Sequence, residues 1–110
     1  MKQGDIWIAD LEPVQGSEQG GKRPVLVISG NAMNDALSIV LAVPLSSKIK
    51  SYPTAVRIRP NSANGLSKET EALPFQVRAV TKGRLKKRIG TVTNIELRGI
   101  IKGLFIVLTH

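Results

Sequence analysis

Residues 16–29 read GSEQGGKRPVLVIS, a glycine-rich stretch that carries one acid and two bases and runs into an apolar segment. Glycines leave backbone N–H groups unhindered, and an arginine guanidinium adds a fork of donors, so such a stretch can bind an anion. Arg23 precedes Pro24, which favours extended backbone at the arginine. The GxxxxGKS/T pattern of a P-loop is absent. Two interpretations remain open: an anion-binding loop, or a solvated connection at the surface.

A second polar cluster, PLSSK at residues 44–48, follows another apolar run. Two hydroxyls and a lysine where a strand ends can hold a phosphate, and Ser–Lys pairs also occur in hydrolases. A polar turn without chemistry explains the same residues.

The positive charge of the chain is concentrated in its second half. Residues 1–55 hold five bases and five acids, while residues 56–110 hold eleven bases and three acids, so the net charge of +8 arises entirely in the second half. The stretch TKGRLKKR at 81–88 alone contains five bases in eight residues. This distribution indicates an acidic partner, although a nucleic acid, an acidic protein and an anionic membrane would each fit.

Other residue types limit the chemistry. The chain has no cysteine, and its one histidine is His110, which argues against a thiolate nucleophile, a disulfide, a histidine base and a histidine-bound metal. Aromatic residues are few: Tyr52 and Phe75 could stack on a base or simply pack, and Trp7 and Phe105 are expected in the core.

The elements that must position these residues are mostly short strands. Apolar and β-branched runs predict strands at 5–11, 24–29, 38–44, 54–58 and 88–92, of which the second and third are buried on both faces. Residues 71–80 are expected to form one or two strands interrupted at Pro74, which would lie at an edge or bulge. Turns are expected around residues 30–34 and 61–65. Such a series favours a small, strongly bent sheet or barrel.

A helix is predicted from about Asn94 to Leu108, because Thr93 and Glu96 match a capping box. Its expected apolar face consists of Leu97, Ile100, Ile101, Leu104 and Leu108. Gly99 and Gly103 disfavour a helix, so a close approach of a neighbouring backbone is expected beside them. A late strand at 104–108 is the alternative.

With 110 residues, the chain is expected to form one domain over 1–110. Its first residues, MKQGDIWIAD, lack the apolar segment of a signal peptide, and no apolar run approaches membrane-spanning length. The cytoplasm is the expected location.

Taken together, four segments resemble the MazF/PemK family of toxin endoribonucleases, also called mRNA interferases. They are GDIWIADLEPVQGSEQGGKRPVLVIS, VPLSSKIKSYPTAV, ALPFQVRAV and the C-terminal helix, in the order and spacing of the family. The resemblance implies a mainly β fold with a C-terminal α-helix, an SH3-like small β-barrel of the MazF/PemK/CcdB type. It also implies a homodimer that cuts single-stranded RNA at short sequences without a metal or other cofactor, and that an acidic antitoxin protein blocks.

The resemblance also implies a set of site residues. The functional arginine of the family falls on Arg23, its loop acid on Glu18, and its hydroxyl, more often threonine, on Ser46. Expected RNA contacts are Ser17, Gln19, Lys22, Ser47, Lys48, Phe75, Gln76 and Arg78. One branch of the family uses an arginine, an aspartate and a histidine where this chain has Leu73, Phe75 and Ser17, so the mechanism of that branch does not carry over.

Two other classes of function stay open at this stage. SH3-like barrels also serve as non-catalytic modules that bind RNA or protein, and toxins of related fold poison DNA gyrase. Cleavage of long single-stranded RNA in the presence of EDTA would distinguish the first expectation from both alternatives.

Overall fold

A computed structural model describes residues 1–11 and 21–110 of the chain. The strands are β1 (Asp5–Asp10), β2 (Lys22–Val27), β3 (Ile39–Ser46), β4 (Val56–Ile58), β5 (Thr70–Ala72), β6 (Arg78–Thr81) and β7 (Leu85–Thr91). The helices are α1 (Asn31–Ala36) and α2 (Asn94–Thr109), with 3₁₀ turns at Pro74–Gln76 and Lys82–Arg84. The mainly β fold with a C-terminal helix is confirmed.

All strand pairs are antiparallel, and the seven strands form one sheet in the order β4-β5-β3-β2-β1-β7, with β6 added to β3. On its far side from β2, β3 pairs first with β6 and then with β5. Within the described ranges no ladder joins β4 to β7, so strand pairing does not close the sheet into a barrel. The described strands therefore form an open sheet.

Both faces of the central strands are buried, as the continuous apolar runs predict. Leu26 and Val43 belong to a core cluster that also includes Ile100 of α2. Val25 and Ala42, which alternate with them, belong to a second cluster on the opposite face. Trp7 is half-buried against this second cluster, so its expected core position is only partly attained.

Helix α2 begins with the predicted capping box. The Glu96 amide donates to Thr93 Oγ1 at 3.1 Å, and the Thr93 amide donates to Glu96 Oε1 at 2.9 Å. The expected apolar face is wrong for Ile101 and Leu108, which are 41% and 73% exposed. Phe105, expected in the core, is 61% exposed, because it follows Leu104 by about 100° of helix rotation and points away from the sheet.

One of the two helix glycines lies against a neighbouring backbone. A Cβ at Gly103 would lie 2.8 Å from the carbonyl oxygen of Thr54, which confirms the expected close approach. At Gly99 a Cβ would meet only methyl groups of Val56, the nearer at 3.7 Å, so the same expectation is wrong there.

Other local predictions also need correction. The expected turn at 30–34 is part of helix α1, where the Asn34 side chain donates to the Ser29 carbonyl at 2.9 Å and fixes the first turn. Pro74 opens a 3₁₀ turn between β5 and β6 and is buried, so it lies at neither a strand edge nor a bulge. Strand β7 begins at Leu85, earlier than predicted, because Leu85 is buried in the second cluster.

Neither helix in the described ranges combines the length and the apolar character needed to cross a bilayer.

Candidate active site

A polar cavity of about 460 Å³ lies where β2 begins and β3 ends. Five of the predicted site residues line it: Arg23, Ser46, Ser47, Lys48 and Gln76. The remaining lining residues are Pro44, Leu45, Lys50, Tyr52 and Leu73. The structure therefore brings together groups from three separate segments of the sequence.

The pairing of β2 with β3 explains why Arg23 and Ser46 meet. Val25 pairs with Pro44 in this antiparallel ladder; Arg23 lies two positions before Val25 in β2, and Ser46 lies two positions after Pro44 in β3. Since antiparallel strands run in opposite directions, both residues come to the same end of the sheet. Arg23 also pairs with Ala9 of β1, so its backbone is held within the sheet.

The segment after β3, residues 47–53, forms one wall of the cavity and is called here the wall loop. The Lys48 amide donates to Ser46 Oγ at 3.1 Å, and the Lys50 amide donates to Glu71 Oε1 at 3.1 Å. Ser51 has a left-handed φ of 55° and accepts a hydrogen bond from Arg57 Nη2 at 3.2 Å. These bonds hold the loop in one conformation and place its lysines beside the cavity.

Two exposed aromatic rings lie at the cavity margin. Tyr52 and Phe75 pack edge to face with ring centroids 4.9 Å apart and planes at 67°. Their exposures of 39% and 42% leave ring surface available to a ligand. Packing and base stacking, the two roles considered for these residues, are therefore compatible.

A second, smaller cavity of about 290 Å³ adjoins the first across Arg23. The two share Arg23, Leu45 and Ser47, and the second adds Pro24, Leu66, Ser67, Lys68 and Thr70. Among the residues that the structure describes, Arg23 and three lysines line the two cavities and no carboxylate does. The site is therefore suited to an anion that extends across the arginine.

Several expected contacts lie elsewhere. Lys22 and Arg78 are exposed and line neither cavity. Arg78 pairs with Ala42, four residues before Ser46 along β3, which keeps it away from the cavity end of that strand. Ser17, Glu18 and Gln19 fall outside the described residues. The roles assigned to these five residues stay predictions, as do the roles of the predicted residues that line the cavity.

The basic stretch 81–88 lines neither cavity. Much of it contacts the protein itself: the Lys82 ammonium donates to the Asn34 carbonyl, and Arg84 Nη1 donates to the Asp10 carbonyl at 3.2 Å. Arg88 Nε lies 3.3 Å from Asp5 Oδ1. These contacts anchor the 3₁₀ turn 82–84 and strand β7 to the rest of the protein. Part of the positive charge that the sequence suggested for a partner therefore interacts within the chain.

Two charged cavity residues, Lys50 and Lys68, were not predicted as site residues from the sequence. The sequence contained a signal for Lys50, because this residue alternates with Lys48 in SKIK directly after the strand. The sequence contained no such signal for Lys68, because only the folding of the 59–69 segment against Arg23 brings this lysine to the second cavity. No cluster of three or more histidine, cysteine or carboxylate side chains that could hold a metal occurs in residues 1–11 and 21–110.

The chain combines an open antiparallel sheet, a C-terminal helix and a cationic cavity where β2 begins and β3 ends. Comparison with known proteins identifies the class of protein that has this architecture. Residues 2–108 match the family model described as PemK-like, MazF-like toxin of type II toxin-antitoxin system. The chain is 35% identical over 102 residues to Endoribonuclease MazF of Staphylococcus saprophyticus, covering 91% of this chain and 84% of that protein.

Comparison with solved structures also finds MazF proteins. MazF from Deinococcus radiodurans superposes with a TM-score of 0.83 at 26% identity, covering 100% of this chain and 97% of that one. A MazE–MazF structure from the same organism gives a TM-score of 0.81 at 28% identity, covering 98% and 95%. The chain belongs to the PemK/MazF family, and it is a MazF-like toxin endoribonuclease of a toxin–antitoxin system.

Proposed function

We propose that this MazF-like toxin cuts single-stranded RNA in the cavity shared by Arg23 and Ser46, without a metal, and leaves a 2′,3′-cyclic phosphate and a 5′-OH. The observation that supports this most is the convergence of Arg23, Ser46 and Lys48 on one cationic cavity. We also propose that the chain acts in the cytoplasm as a single domain over residues 1–110.

The chemistry needs little from the protein because RNA carries its own nucleophile. The 2′-oxygen attacks the adjacent phosphorus, its proton goes to a base, the bond from phosphorus to O5′ breaks, and O5′ takes up a proton. The protein must align these atoms and stabilise the charge that grows on the phosphoryl oxygens.

Arg23 suits the stabilising role. The planar fork of its guanidinium can bind two phosphoryl oxygens at once. Ser46 Oγ accepts the Lys48 amide hydrogen bond and keeps its own O–H to donate to the phosphate. Because both groups extend from paired strands, little reorganisation is required of them during the reaction.

The base is assigned to Glu18 through the family resemblance alone. A solvated glutamate is a weak base, so this role requires that Glu18 be desolvated in the complex with RNA.

Substrate binding would use both cavities. A strand whose scissile phosphate contacts Arg23 would place one neighbouring nucleotide toward Lys48, Lys50 and the Tyr52–Phe75 pair, and the other toward Lys68. Unpaired bases can reach such surfaces, whereas a duplex hides them, which favours single strands.

The proposed partners are an acidic antitoxin and a second copy of the chain. The excess of eight positive charges in residues 56–110 supports an acidic partner. A MazE–MazF structure among the structural relatives supports a dedicated antitoxin.

Incubating the purified protein with a long single-stranded transcript in EDTA tests the proposal. Discrete fragments with 5′-OH ends and cyclic phosphates are expected, and the fragments should disappear with Arg23→Ala but persist with Arg59→Ala. Arg59 is a matched control because it carries the same charge on a side chain that is 86% exposed and lines neither cavity.

Other outcomes would contradict the proposal. Tight RNA binding without fragments would identify a non-catalytic module. Intact RNA together with inhibition of DNA gyrase would identify a toxin of the other class.

A further inference from the structure

Glu71 is a buried carboxylate to which the proposed reaction assigns no role. It is the central residue of β5 and only 2% exposed. Burying a carboxylate is costly unless it is hydrogen bonded, and an apolar residue would serve strand packing better. Within the described part of the chain no cation forms an ion pair with it, and its Oε1 accepts a hydrogen bond from the Lys50 amide at 3.1 Å.

Strand register places Glu71 on the face of the sheet that the wall loop crosses. Ser46 pairs with Glu71 and Leu45 pairs with Ala72. Paired residues of an antiparallel ladder point to the same face, and successive residues to opposite faces. Leu45 and Ala72 belong to the core cluster under α2, so Ser46 and Glu71 lie together on the other face.

The wall loop needs such a support. Ser51, the residue directly after the bonded Lys50, is the one non-glycine with positive φ among the described residues. A left-handed conformation at serine is unfavourable and persists only where surrounding contacts determine it. The Glu71 bond on one side and the Arg57–Ser51 bond on the other are those contacts.

We propose that Glu71 is a positioning residue for substrate binding: its carboxylate fixes the wall loop so that Lys48, Lys50 and Tyr52 line the cavity. The inference rests on the proposed RNA cleavage for its functional part. Because the loop contacts RNA before and during the reaction alike, its loss should weaken binding more than the chemical step.

Three variants test this. Glu71→Met removes the acceptor and fills the same space, Glu71→Gln keeps an acceptor oxygen, and Asp35→Asn is the control. Asp35 is an exposed acidic residue of α1 that lines neither cavity, so its replacement removes an acidic group away from the wall loop. Each variant is assayed for KM and kcat on a short single-stranded RNA, and for amide hydrogen exchange at Lys50 and Val43.

Loss of one hydrogen bond in Glu71→Met should raise KM about tenfold while kcat changes by less than about threefold. Exchange at Lys50 should accelerate about tenfold or more, while exchange at Val43, in the central strand β3, should stay unchanged. Glu71→Gln and Asp35→Asn should both remain close to the parent protein in every measurement.

Three results would overturn the inference. An unchanged Lys50 exchange rate and KM in Glu71→Met would show that the bond positions nothing. Faster exchange at Val43 as well would show a general structural role. An equal rise of KM in Glu71→Gln or in Asp35→Asn would attribute the effect to charge. If the parent protein cuts no RNA, the proposed function fails, and the exchange data still decide whether Glu71 holds the loop.

Discussion

Arg23 and Ser46 line the same cavity from adjacent antiparallel strands, each two residues beyond the Val25–Pro44 pair. The two residues are far apart in the sequence, and the pairing of β2 with β3 in the centre of the sheet brings them to one cavity. Replacing either side chain should therefore leave the fold intact, whereas disrupting the β2–β3 pairing would separate the two groups.

Replacement of Arg23 by alanine should reduce cleavage about a hundredfold or more, because a donor to the developing charge is lost. The side chain is half-buried at a cavity rather than part of either core cluster, so thermal unfolding should change little. Initial rates on a defined transcript measure the first effect and circular dichroism the second. Cleavage within a few-fold of the parent would remove Arg23 from the reaction.

Ser46→Ala should lower cleavage less than Arg23→Ala does, and Ser46→Thr should restore it nearly to the level of the parent. The reason is that the phosphate requires a hydroxyl donor, which both serine and threonine supply. Rates of the three proteins on one substrate decide this. An inactive threonine variant with an intact fold would show that the hydroxyl role belongs elsewhere.

The two helix glycines should respond to alanine in opposite ways. Gly99→Ala should stabilise the protein by up to about 1 kcal/mol, since the new methyl has room and alanine favours the helix. Gly103→Ala should destabilise it by about 1–3 kcal/mol, because its Cβ would lie 2.8 Å from the Thr54 carbonyl oxygen and 3.0 Å from Pro74. Urea unfolding measures both. Equal shifts would mean that the helix does not approach the 54–74 region so closely.

The toxin should behave as a homodimer that an acidic antitoxin segment inhibits. Light scattering should give twice the 11.9 kDa chain mass. Association with the acidic segment should slow as the salt concentration rises and the Debye length falls to about 8 Å and below, because opposite charges speed encounter.

Competition between RNA and the acidic segment tests whether the two bind the same surface of the toxin. A saturating acidic segment should suppress RNA cleavage, since both anions are attracted to the same cationic protein. A ternary complex that still cuts RNA at the full rate would contradict a shared surface, and a monomer in light scattering would contradict the dimer.

Local patterns were sufficient to predict the strands that border the cavity and the helix that packs on the core. The apolar runs ending at Ser29 and Pro44 predict β2 and β3, and Thr93 with Glu96 predicts where α2 begins, because capping depends on residues close in sequence. The resemblance to a known family then located Arg23 and Ser46.

Side-chain positions that depend on long-range packing were not predictable in this way. Phe105 appeared suited to the core, but the rotation of α2 against the sheet leaves it exposed, and a hydrophobic pattern does not specify that rotation. The place of Arg78 likewise depends on its pairing with the early part of β3.

What the sequence by itself determined is the set of strands, the C-terminal helix, the charge surplus and the two residues at the ends of β2 and β3. Tertiary structure alone decided that Glu71 supports the wall loop, that Lys50 joins the first cavity and that Lys68 reaches a second one across Arg23. The physical reason is that strand pairing between distant segments sets these contacts, and such pairing depends on the register of the whole sheet rather than on neighbouring residues.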